Sequence, residues 1–147
     1  MLRFVAFITG LISAAALVAG PPQVTDKRLK IELFAEAPQI VTPIGVAVDQ
    51  KGRVYVVESH THERPAGYQG PKADRIRVFE DTKAAGKADK ITTFFEGTES
   101  TMCLAFDRQG ALYVSTRMEI FRLRDTKGTG TADERTPIVH LDTPGRY

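Results

Sequence analysis

From residue 43 onward the chain alternates short apolar runs with clusters of turn residues. Ile44 to Val48 and Met102 to Phe106 are apolar at nearly every position, the pattern of strands buried on both faces. After each comes Asp-x-x-Gly, in which Asp tolerates the turn start and Gly supplies the positive φ of a bulged hairpin. Arg53 to Glu58 and Ala111 to Thr116, rich in Val and Tyr, read as second strands. Arg75 to Glu80 and Glu119 to Arg124 read as third strands, and Ile91 to Glu96 and Arg135 to Leu141 as fourth. Lys30 to Ala35 is one strand left over ahead of them.

The order of these elements repeats. Asp49-Gln50-Lys51-Gly52-Arg53-Val54-Tyr55-Val56 matches Asp107 to Val114 at an offset of 58, identical at four of eight positions. Asp81 to Asp89 matches Asp125 to Asp133 at an offset of 44, identical at six of nine. Four-stranded antiparallel units recurring at this spacing are the mark of propeller blades. A β-sandwich also has many short strands, but it does not require equivalent turns in equivalent order. The expected fold is therefore all-β: two blades of a six-bladed propeller, spanning about 43–97 and 101–142, with an orphan strand at the N-terminal side of a propeller region 29–147. In closed propellers such a strand often completes the outer edge of the final blade. Two blades leave two broad apolar faces uncovered, so the chain is expected to be marginally stable or to associate.

Residues 1–20 stand apart: Arg3, an uncharged apolar run from Phe4 to Val18, and small residues before Pro21-Pro22. That is the pattern of a secretory signal, and about fifteen apolar residues fall short of the ~20 that a spanning helix needs. Export is expected, to a periplasmic or other extracytoplasmic location, with membrane association through this segment as the alternative. A net charge of +2 with interleaved signs leaves nucleic acid no electrostatic footprint. The single cysteine, Cys103, sits in an apolar run and is expected to be a buried small hydrophobe. There is no C-x-x-C-H for a covalent c-type haem.

The two offsets differ by 14, and the difference falls between the second and third strands. The second unit has a tight turn near Arg117 and Met118, whereas the first has a long loop, Ser59 to Asp74. Strand alternation puts this loop on the same end as the links between blades, opposite the Asp-x-x-Gly turns. An insertion carrying His60, His62, Glu63 and Arg64, with Arg117 nearby in the fold, is the candidate site, because loops on rigid scaffolds carry function disproportionately. If residues 60–62 were extended, His60 and His62 would point the same way, and Glu63 could add an oxygen for a transition metal. A histidine there could also serve as a general base. The equivalent reading as solvated, loop-ordering side chains stands beside these. The Asp81 and Asp125 loops lack calcium-loop chemistry, since Lys occupies the third position in both, and they read instead as hairpins stapled by their own Asp side chains.

Val56-Val57-Glu58-Ser59-His60-Thr61-His62, Arg75-Ile76-Arg77-Val78-Phe79-Glu80-Asp81 and Asp107-x-x-Gly110-x-Leu112-Tyr113-Val114 together resemble the N-terminal propeller of the exported "membrane-bound dehydrogenase" family. That propeller is similar to the soluble quinoprotein glucose and sorbosone dehydrogenases. The resemblance spans about Leu29 to Tyr147. It implies oxidation of a sugar or related alcohol, with pyrroloquinoline quinone (PQQ) as hydride acceptor and calcium beside it. It also implies that the remaining blades of a longer parent are the chain's partners, that the chain by itself is a fragment without activity, and that no catalytic residue is assignable within it. The alternative is a non-enzymatic propeller that binds glycan or protein ligands on its loop face.

Overall fold

The computed structural model describes residues 22–142, so the expected signal segment lies outside the described residues. The chain divides into two units at Ile31 and Glu32. In the described part of the first unit, Arg28 closes a turn on Asp26, with Nη2 2.7 Å from Oδ2.

The second unit is all-β among the described residues. It holds eight strands: β1 (Pro43–Val48), β2 (Val54–Glu58), β3 (Asp74–Glu80), β4 (Lys90–Thr98), β5 (Thr101–Phe106), β6 (Leu112–Thr116), β7 (Glu119–Arg124) and β8 (Glu134–His140). They form two four-stranded antiparallel meanders in simple order, β1 to β4 and β5 to β8. The strands lie within two residues of where the apolar runs and turns place them. Equivalence extends to register: Tyr55 pairs with Ala47 and Val78, and Tyr113 with Ala105 and Arg122. These neighbours sit at the same offsets of 58 and 44 that relate the sequences, so the two tyrosines hold the same place in their sheets.

The turns repeat atom by atom. Asp49 Oδ1 accepts the amides of Lys51 and Arg53, each at 2.9 Å, and Asp107 Oδ1 accepts those of Gln109 and Ala111, each at 2.9 Å. Gly52 and Gly110 close these turns at φ 79° and 84°, a region that costs any residue with a Cβ. In the longer hairpins, Asp81 accepts the amides of Ala85 and Gly86, and Asp125 those of Thr129 and Gly130. The carboxylates staple their own loops, as the sequence reading expects.

Between the sheets lies the main core. Tyr55, Val57, Ile76 and Val78 from the first sheet meet Leu104, Leu112, Val114, Phe121 and Leu123 from the second, with Phe94 between them. Tyr55 anchors the seam, its ring edge-to-face with Phe94 at 5.2 Å and with Phe106 at 4.9 Å. Burial pushes the Tyr55 phenol up to about 12.

Three expectations fail. β1 and β5 are not buried on both faces, since Ile44, Val46, Val48 and Met102 are exposed. Cys103 is exposed rather than buried. A register shift between Thr101 and Cys103 leaves Leu104, not its neighbour, facing the core. Within Lys30 to Ala35 no strand forms. Instead Phe34 and Ala35 pack on Val56, Phe79 and Ala88, and the Phe34 carbonyl accepts the Ala88 amide at 3.0 Å.

Candidate functional site

The end of the sheets opposite the Asp-x-x-Gly turns gathers the β2–β3 loop, the β4–β5 link and the β6–β7 turn. The anchor is Asp74, completely buried at the start of β3. Its Oδ1 accepts the amides of His60 at 2.6 Å and Thr61 at 2.9 Å; its Oδ2 accepts the Thr61 hydroxyl and the Thr101 amide, both at 2.9 Å. Burial raises the carboxyl's pKa, but the amides of Thr101 and His60 and the hydroxyls of Thr61 and Thr101 outweigh it, and the net pKa is lowered. One side chain thus ties the long loop of the first blade to the first strand of the second. The Thr61 hydroxyl in turn accepts the Ser100 amide at 2.6 Å.

Above this tie an open cleft of about 700 Å³ is lined by Thr61, His62, Glu63, Arg64, Glu99, Ser100, Met102 and Arg117. The sequence candidates divide. His62, Glu63, Arg64 and Arg117 line the cleft, whereas His60 is buried beneath it. Residues 60–62 bend rather than extend, so the alternation that would align the two imidazoles does not apply. His60 Nδ1 hydrogen-bonds the Tyr68 hydroxyl, and its Nε2 lies 3.4 Å from Glu58 Oε1 without a hydrogen-bonding angle. Arg64 holds the loop shut, donating to the carbonyls of His60 at 2.6 Å and of Lys72. Ser100 is held at φ 49°, and its carbonyl accepts the Arg117 amide at 3.1 Å. Thr42, its equivalent 58 residues earlier, has φ 46° and accepts the Ser59 amide at 3.1 Å.

The sequence reading did not single out Glu58, Asp74, Arg75 or Arg77. Glu58 is almost fully buried; Arg75 Nη2 lies 2.9 Å from its Oε1, and Arg77 Nη1 lies 3.6 Å from its Oε2. A Glu ending an apolar strand opposite Arg-x-Arg on the next was the available signal, because facing positions on paired strands carry opposite charge.

The donor set can be tested against the cofactors that the family resemblance implies. His62, Arg64 and Arg117 offer hydrogen bonds, and the two guanidiniums positive charge, to a carboxylate-bearing ligand, and in that respect fit a quinone tricarboxylate. Calcium takes about six to eight oxygens. The cleft offers the Glu63 and Glu99 carboxylates and two hydroxyls, and no three His, Cys, Asp or Glu side chains converge among the described residues. These residues alone do not fit a calcium ion.

A search among curated proteins finds no match to this sequence. Among solved structures, the fold is similar to the calcium structure of Trichoderma reesei carbohydrate-active enzymes family AA12, with a TM-score of 0.55, 18% identity, and coverage of 76% of this chain and 25% of that one. It is also similar to the holo form of the pyranose dehydrogenase PQQ domain from Coprinopsis cinerea, with a TM-score of 0.55, 16% identity, and coverage of 72% and 23%. The chain thus spans about a quarter of each of these structures, and at such identity the likeness is one of fold. Residues 23–140 match the family described as Domain of unknown function (DUF7133), and the chain belongs to that family.

Proposed function

We propose that the chain forms a sector of the ligand face of an exported, quinoprotein-like dehydrogenase propeller acting on a carbohydrate or related alcohol. The observation that carries this reading is the cleft, where His62, Arg64 and Arg117 meet from two blades at the loop end. The fold shared with a PQQ domain and an AA12 enzyme supports it, as does the sequence likeness to exported dehydrogenases. When bound, PQQ supplies the hydride acceptor, and the protein's part is to bind and orient it. In this sector Arg117 and His62 would hold ligand carboxylates, Arg64 keeps the loop closed, and Asp74 fixes the loop to the second blade. Calcium, on this reading, takes its ligands from elsewhere in the propeller. The two blades alone carry no complete catalytic set.

The test is a titration of the chain with PQQ, with and without calcium, followed by quinone absorbance and calorimetry. A saturable change that weakens at least about tenfold in Arg117→Ala is expected, the loss of a charged hydrogen bond being worth ~1.5–3 kcal/mol. No saturable change at any concentration would remove the quinone reading. Retention on a glycan column that survives replacement of both His60 and His62, with no need for quinone, would favour a non-enzymatic binding propeller.

A further inference from the structure

The end of the sheets that carries the Asp-x-x-Gly turns holds a second groove, of about 640 Å³, between the β1–β2 turn of the first blade and the β5–β6 and β7–β8 turns of the second. That volume lies within the ~300–1,000 Å³ of small-molecule sites. Its floor is the aromatic seam: Tyr55 and Phe94 are buried, Phe106 only partly so, and all three line the groove. Tyr55 is 2% exposed, yet its hydroxyl has no hydrogen-bond partner among the described residues. A buried phenol normally finds one. Burial pushes its pKa up to about 12 against the Arg53 guanidinium, and the carboxylates of Asp49, Glu80 and Asp125 add to the rise. All three carboxylates line the groove, which places the hydroxyl at its floor, protonated and able to donate.

The internal repeat shows which groups the fold leaves free. Asp49 uses both oxygens, Oδ1 on two amides of its turn and Oδ2 on Arg53 Nε at 2.7 Å. Arg53 becomes Ala111 in the second blade, so Asp107 Oδ1 holds the equivalent amides while Oδ2 meets no guanidinium. The longer hairpins differ in the same direction. Ala85 and Lys87 of the first blade become Thr129 and Thr131 in the second, and both threonines line the groove.

Charge then decides the class of ligand. Arg53 is taken by Asp49, and Lys90 by Glu80 at 2.8 Å, which leaves Asp107, Asp125 and Lys51. Charges of mixed sign do not suit a phosphate, and among the described residues no three carboxylates converge on a metal ion. What remains is a phenol donor, a carboxylate acceptor and threonine hydroxyls that serve as both, beside the partly buried ring of Phe106. A sugar ring has adjacent hydroxyls that donate and accept, and an apolar C–H face. We propose that this groove binds a neutral mono- or disaccharide, with the Tyr55 hydroxyl donating to it and Asp107 Oδ2 accepting from it. The site lies at the end opposite the Arg117 cleft and needs no quinone.

The test is a titration of the full 147-residue chain with maltose and, separately, with cellobiose, followed by amide NMR. Saturable shifts at millimolar sugar, largest at the Gly110 and Gly130 amides, are the expected result. Tyr55→Phe removes only the hydroxyl and keeps the ring against Phe94 and Phe106; the dissociation constant should rise about fivefold, the loss of one hydrogen bond. Asp107→Asn keeps Oδ1 for the amides of Gln109 and Ala111 and replaces only Oδ2, and should weaken binding at least as much. No saturable shift with either sugar, or shifts confined to Ser100 and Arg117, overturns the site. Unchanged affinity in either folded variant overturns it equally. Should Tyr55→Phe lose its fold, Asp107→Asn decides.

Discussion

Asp74 shows how one buried carboxylate can organise a loop without touching a ligand. It satisfies two backbone amides of the β2–β3 loop and one of β5, groups that would cost free energy if buried unpaired. Asp74→Asn places an amide donor against some of these donors and should destabilise the fold by about 2–3 kcal/mol, measured by urea unfolding. The pH dependence follows in sign. The folded pKa lies below the ordinary 3.8, so the stabilisation is complete above the unfolded value and is lost as pH falls through the folded one. Unfolding midpoints should begin to drop as pH falls toward 3.8 and go on dropping below it, and Asp74→Asn should flatten that slope. A different residue-scale effect is expected at Glu58. Removing its carboxylate leaves Arg75 and Arg77 without their counter-charge; with both guanidiniums partly in water, Glu58→Ala should cost about 3 kcal/mol, at the lower end for a broken buried pair.

The β-strands and turns were written plainly in the sequence because each is a local matter. Period-two burial, Asp as a side-chain acceptor and Gly at positive φ all act within about ten residues. Substituting Gly110 by Ala tests this directly: a Cβ there meets nothing within 4 Å, so the cost is purely that of the backbone at φ 84°. A loss of about 1 kcal/mol is expected, and the same for Gly52; no loss at either would deny the turn type. What the sequence hid is non-local. The β5 register shift that exposes Cys103 depends on how β5 meets β6. The turn of His60 into the interior depends on Asp74, Tyr68 and Glu58 meeting it from three other places in the chain. His62, two residues on, had the same apparent chemistry but remained at the cleft. Only the packing separates them. The segment around Phe34 was legible as apolar but not as a loop, because what holds it is its packing on Val56, Phe79 and Ala88, far along the chain.

For the molecule as a whole, the proposed ligand face follows from two sheets packed face to face. The cleft exists because the first blade's loop and the second blade's turn near Arg117 are brought to the same end by the shared seam. That seam is aromatic: Tyr55 of the first blade meets Phe106 of the second edge-to-face at 4.9 Å. The most direct test is a double-mutant cycle with Tyr55→Leu, Phe106→Leu and the pair, followed by denaturant unfolding. If the blades pack as described, the cycle returns a favourable coupling of about 0.5–1.5 kcal/mol. Strictly additive losses would mean that the two rings do not meet, and that the blades are not joined through this seam.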